Sequence, residues 1–152
     1  MDRLPNPPEN QVSDAAALRG LVGQSPRSFS LNLAVCDGAS LRNAAVRQLR
    51  ADFPAIEAVA LWPYDKDVFD HVHTTASRDP KDALFVFGLD DALAADIDRP
   101  ALLSGLNASP PRWKAWFACP VVFWVDHHTA DILRLHAPDF WEWQQDVYRL
   151  DV

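Results

Sequence analysis

Ala83-Leu84-Phe85-Val86-Phe87 is an unbroken apolar run, closed by Asp82 on one side and Gly88 on the other. A run so short and so uniformly apolar fits a strand buried on both faces, as parallel sheets carry between two layers of helices. Pro120-Val121-Val122-Phe123-Trp124-Val125 repeats the pattern. Further strands are predicted at Phe29–Val35, which alternates before turning solidly apolar, and at Ile56–Trp62, which Pro63 closes. Asp146–Val152 alternates in the manner of a terminal edge strand.

Between these strands the apolar period lengthens to that of helices. Leu41, Ala45, Leu49 and Phe53 stand four apart, with Arg42, Arg47 and Arg50 off that stripe, and Pro54 stops the helix. Asp67–Thr75 reads as a second helix. Pro100–Asn107 reads as a third, with Asp98 as its cap and Leu102, Leu103 and Leu106 inward. Arg112–Ala118, Thr129–His136 and Asp139–Gln144 supply shorter helical pieces. Strand and helix thus alternate along most of the chain. The expected fold class is α/β: a single-domain three-layer sandwich with a mostly parallel four- to five-stranded sheet, Rossmann-like or degenerate P-loop-like. Residues 1–27, with Pro5, Pro7, Pro8 and Pro26, read as a loose arm carrying one short helix at Ser13–Val22, started by Ser13 and ended by Gly23. The α/β domain is expected over residues 28–152.

Composition bounds the rest. At 152 residues, 49% hydrophobic and 23% charged, the chain has the balance of one globular domain. A net charge of −7 argues against a dedicated nucleic-acid surface. No apolar run reaches the ~18 residues of a membrane span. Met1-Asp2-Arg3-Leu4-Pro5 does not open a signal peptide, so a cytoplasmic chain is expected, with Cys36 and Cys119 as buried thiols.

In α/β sheets ligands sit beyond the carboxyl ends of the strands. There the sequence offers Asp37–Ser40, Trp62–Asp65, Gly88–Asp91 and Asp126–Thr129. Phe85-Val86-Phe87-Gly88-Leu89-Asp90-Asp91 is an apolar strand running into paired acids, and in P-loop NTPases such a strand delivers an acid to magnesium. The partner loop should read Gly-x-x-x-x-Gly-Lys-Ser/Thr, whereas Cys36-Asp37-Gly38-Ala39-Ser40 has one glycine and no lysine. An acidic turn repels a triphosphate, so Asp90 or Asp91 is expected to cap the next turn. Asp126-His127-His128 resembles the motif of the DHH phosphoesterases. The upstream His-x-x-x-Asp-x-Asp element of that family is absent, and His71 and His73 diverge if their segment is helical. Asp37, Asp90, Asp91, Asp126, His127 and His128 therefore form the alternative site, that of a small metal- or nucleotide-dependent hydrolase or binding domain. Gly-x-Ser-x-Gly is absent as well. No enzyme, metal or cofactor is assigned.

The carboxyl-terminal third is rich in aromatics. Trp113, Trp116, Trp124, Trp141 and Trp143 are joined by Phe117, Phe123, Phe140 and Tyr148. They serve core and edge packing, or else an exposed patch for a partner, since tryptophan is enriched in interface hot spots. Phe140 is expected to pack inward against Val122 or Trp124, with Trp143 on the same face and Trp141 partly exposed.

Leu103-Ser104-Gly105-Leu106-Asn107, Arg112, Pro120–Val125, Ala137-Pro138-Asp139-Phe140-Trp141-Glu142-Trp143 and Val147-Tyr148 form a string. It resembles a region near the amino terminus of bacterial STAND-class signalling ATPases and tetratricopeptide-repeat proteins. Phe87-Gly88-Leu89-Asp90 is similar to that group's Thr-Gly-Leu-Glu. The chain departs from the pattern at Ala108-Ser109-Pro110-Pro111 and at Glu142, where the group carries serine. The resemblance implies a degenerate NTPase-like module in signalling or antiviral defence, non-enzymatic, acting as adaptor or sensor. It implies a protein partner, an ATPase or repeat-containing signalling protein, with Trp141, Trp143, Trp113, Trp116 and Arg112 as candidate contact residues.

Overall fold

A computed structural model describes residues 13–25, 27–95 and 99–150. In chain order the elements are α1 (Asp14–Val22), β1 (Ser30–Val35), α2 (Ala39–Asp52), β2 (Ile56–Ala60), α3 (Val68–Thr75), β3 (Ala83–Phe87), α4 (Leu89–Ala94), α5 (Arg99–Ala108), α6 (Pro110–Trp116), β4 (Pro120–Val125), α7 (His127–His136), α8 (Pro138–Trp143) and β5 (Gln144–Arg149). All five strands run parallel in one sheet, ordered β2-β3-β4-β1-β5. This is an α/β sandwich of the Rossmann-like kind.

The two central apolar runs lie where the sequence placed them, because a strand covered on both faces has no polar face to show. Leu84, Val86, Val121, Phe123 and Val125 join Leu31, Leu33 and Val35 on one face, under α3 to α8. Ala83, Phe85, Val122 and Trp124 face the other way, under α1 and α2. Burying a large apolar side chain is worth ~1.5–3 kcal/mol, so the paired faces supply most of what holds the layers together.

Several expectations need correction. α1 is not part of a loose arm: Leu18 and Val22 are fully buried against the sheet, and Asp14 accepts the Arg149 amide at 2.6 Å, which ties α1 to β5. Ser13 and Gly23 do cap it. Residues 1–12, Pro26 and the proposed cap Asp98 lie outside the described residues. α2 buries Leu49, but Leu41 is 44% exposed and Ala45 and Phe53 are half-buried, so the four-apart stripe is only partly used. β2 stops at Ala60, which leaves Trp62 in an exposed loop. β5 begins two residues early, at Gln144. α4 is a full helix where only a turn was expected; it starts from Gly88 at φ 93°.

Phe140 is fully buried, yet it packs edge-on against Phe123 at 5.3 Å between ring centroids, not on Val122 or Trp124. The reason is the period of two: Phe123 faces the α8 layer, whereas its neighbours on β4 face α1 and α2. Trp143 does not share that buried face and is 41% exposed.

Candidate functional site

β1 and β4 are neighbours, and the helices after them, α2 and α7, leave towards opposite faces. Their carboxyl ends therefore form the switch point where such sheets open a crevice. Asp37 follows β1 and Asp126 follows β4, while Asp90 stands in the first turn of α4 after β3. The geometry does bring these acids together, but it uses them on backbone amides. Asp126 caps α7 by accepting from the Thr129 amide at 2.7 Å. Asp37 accepts from the His127 amide at 2.9 Å and contacts the His127 ring Nδ1 at 2.8 Å. Asp90 accepts from the Asp126 amide at 3.2 Å.

The start of α7, where a phosphate would be cradled, is thus served by the chain's own carboxylates. The His127 amide and ring hold the Asp37 carboxyl below the usual carboxylate range. Burial pushes the Asp90 carboxyl up, against the bonds from Thr129 and Asp126 that lower it. Asp90 therefore does not cap the next turn, as the sequence suggested; it ties β3's end to β4's. Asp91 and His128 are exposed. Among the described residues no three His, Cys, Asp or Glu side chains converge on one point.

The aromatic candidates divide between core and surface. Trp113 is fully buried and leaves the set of surface residues; its Nε1 donates to Ser109 Oγ at 2.9 Å, and that hydroxyl donates to the Leu106 carbonyl at 2.7 Å. The Ser109-Pro110-Pro111 break is what allows this, since it turns the chain from α5 into α6 and brings Ser109 under the indole. Trp116, at the end of α6, is 41% exposed. Arg78 lies 3.9 Å over its ring and His73 packs edge-on at 4.1 Å. Arg112 is exposed, 4.7 Å from the Phe69 ring centroid and 3.8 Å from the Asp67 carboxylate. Trp141 is half-buried against the core.

Trp116 and Trp143 both lie at the amino-terminal pole of the sheet, just before β4 and β5 respectively. A cavity of about 400 Å³ opens there, lined in part by Arg27, His73, Ser77, Arg78, Lys81 and Trp116. Lys81 is buried, its ammonium donating to the Ser77 and Asp79 carbonyls at 2.8 and 2.9 Å and paired with Glu57 at 3.3 Å. Cys119, on the cavity wall, has its thiol pushed up to about 11 by burial, so it is not a reactive nucleophile at neutral pH. Sequence reading missed this pole. Its one signal was the charged turn Ser77–Asp82 between a helix and a buried strand, which a linear reading treats as solvated loop.

Two distant pieces of the quoted string meet. Asn107 at the end of α5 accepts from the amides of Asp139 and Phe140 at 2.7 and 3.2 Å, and its Nδ2 donates to Asp139 Oδ2 at 3.2 Å. Asp139 thus receives a side-chain amide from another helix. No family model matches the chain, and no curated protein matches it. Among the described residues no helix is long and apolar enough to cross a membrane.

Proposed function

We propose that the chain is a non-enzymatic protein-interaction module, an adaptor or sensor in a bacterial STAND-like signalling or defence system of the cytoplasm. The observation that supports this reading is the split between the poles of the sheet. At the carboxyl pole, where α/β enzymes keep their chemistry, Asp37, Asp126 and Asp90 bind amides of the α7 entry. At the amino pole Trp116 and Trp143 stand exposed, with Arg78 stacked on one of them. Tryptophan and arginine are the residues that interface hot spots favour. The partner in this reading is an ATPase or repeat-containing signalling protein that covers the Trp116–Trp143 pole.

Photo-crosslinking in cells tests it. A benzophenone side chain placed at Trp116 or Trp143 is expected to capture such a protein, and one at the exposed Asp131 on α7 is not. Capture equal at all three positions, or none at the tryptophans, overturns the reading.

One observation favours the alternative of a small metal- or nucleotide-dependent hydrolase: Asp90 has a raised carboxyl beside Asp126 at the switch point. Magnesium-dependent nucleotide turnover that disappears in Asp90→Ala would establish it in place of the first.

A further inference from the structure

We propose that the groove between α2 and the edge strand β2 receives an acidic amphipathic helix from a partner protein, which rests on the reading of the chain as an interaction module. The groove has a volume of about 840 Å³ and is lined in part by Arg42, Val46, Arg47, Arg50, Ala60 and Phe87. It exists because the two helical layers are unequal. Among the described residues six helices cover one face of the sheet and two cover the other. Under the thinner layer the outer strands are left partly bare: Ala60 is exposed, while Ala58 and Phe87 are half-buried. Among the described residues β2 has a sheet neighbour on one side alone, so the groove opens at the edge.

The wall is one long face of α2. Arg42, Val46 and Arg50 follow one another at four-residue spacing, and Arg47 and Arg50 stand three apart. They cover about 12 Å of helix at 1.5 Å per residue. Among the described residues none of the three arginines forms an ion pair; Arg42 lies 5.9 Å from the Phe87 ring centroid and donates to Asn43 at 3.3 Å. Among the described residues three guanidinium groups thus stand without an ion pair on one side of an apolar trough, in a chain with 21 acidic and 14 basic residues. The matching occupant has an apolar stripe for Phe87, Val46 and Ala60. It carries Glu or Asp at three- and four-residue spacing for the arginines, which is the helix-in-groove mode of recognition. Charge of that sign gives specificity and speeds encounter.

The test uses the full chain and a fluorescein-labelled helical peptide of about 18 residues, with leucine on one stripe and glutamate beside it, read by anisotropy at low salt. Arg47→Glu combined with Arg50→Glu is expected to weaken binding about tenfold, and a lysine-for-glutamate peptide to restore it. Both arginines are exposed, so circular dichroism should report an intact fold. Unchanged affinity after charge reversal, or equal binding of the lysine peptide to the unaltered chain, overturns the proposal. So does tighter binding of a proline-interrupted peptide, which would mean an extended strand along β2. Preference for single-stranded DNA, or a dimer in sedimentation that the reversal disperses, overturns it too. No binding of the acidic peptide to the unaltered chain, with crosslinking at Trp116 intact, would refute this groove and leave the wider reading standing.

Discussion

Gly88 is held at φ 93°, and a Cβ there would lie 2.7 Å from the Leu61 carbonyl oxygen. The close approach packs the end of β3 against the end of β2, and it lets α4 start at once with Asp90 in its first turn. A left-handed conformation costs an L-residue roughly 1–2 kcal/mol before any clash. With the contact added, Gly88→Ala is expected to lose about 3 kcal/mol in urea unfolding, and a loss under ~1 kcal/mol would contradict this geometry. Asp90 gives a pH signature. Its carboxyl is raised by burial, so the folded state binds the proton more tightly than the unfolded state does. Its contribution is fully present below the ordinary carboxylate value and is lost as pH rises through the raised one. Asp90→Asn keeps an acceptor for the Asp126 amide and removes the buried charge. It is therefore expected to melt higher than the parent at pH 7, with the difference closing in acid. A constant difference across pH would locate the effect elsewhere. Neither residue announced its role in the sequence: a glycine and two acids after a strand read as an ordinary turn, and Asp90's partner lies 36 residues away.

Helices α5 and α8 are joined by one side chain, since Asn107 holds the first amides of α8 and the Asp139 carboxylate together. Removing a side-chain cap costs about 1–2 kcal/mol. Asn107→Asp keeps the acceptors but sets a second carboxylate against Asp139, so it is expected to destabilise, and Asp139→Asn should restore much of the loss by giving that carboxylate a donor. Denaturant unfolding of the two single variants and the double decides it; additive losses would mean the pair is not coupled. Phe140→Ala in the same helix is expected to cost ~3–5 kcal/mol, because its ring fills the space over Phe123. Trp143→Ala, at a side chain 41% exposed, is expected to change stability by less than ~1 kcal/mol and to weaken partner capture. The elements themselves were largely legible. The two apolar runs and the prolines at positions 54, 110 and 138 mark strands and helix limits through local chemistry. Which face each aromatic occupies was not: Trp113 on α6 and Trp124 on β4 end on opposite sides of one sheet. That depends on register across strands, which no local spacing encodes.

Stability is distributed unevenly over the whole molecule, and the unevenness follows from the strand order. β4 sits at the centre with β3 and β1 beside it, all six of its residues buried, and helices stacked on both faces. α2 lies at the other extreme, with Leu49 as its buried side chain and an open groove along its arginine face. Local opening costs little where few apolar contacts are lost, whereas central strands exchange their amide hydrogens through global unfolding. Amides of β4, β3 and β1 are therefore expected to be the slowest to exchange and to share one free energy, equal to that from denaturant unfolding. The α2 amides should exchange by local opening several kcal/mol below that value, with little dependence on added urea. Leu49→Ala should widen the gap, releasing α2 far more than it weakens the sheet. An acidic helix seated against Arg42, Arg47 and Arg50 would be paired with a helix that buries only Leu49 among its described side chains. Its binding must then slow α2 exchange while leaving β4 exchange tied to the global value. Protection gained uniformly over the molecule would mean that the peptide stabilises the fold from some other surface. If α2 in the free chain already matched β4, the thinner layer would be as firmly packed as the thicker one, and the groove would not be the soft side of the sandwich.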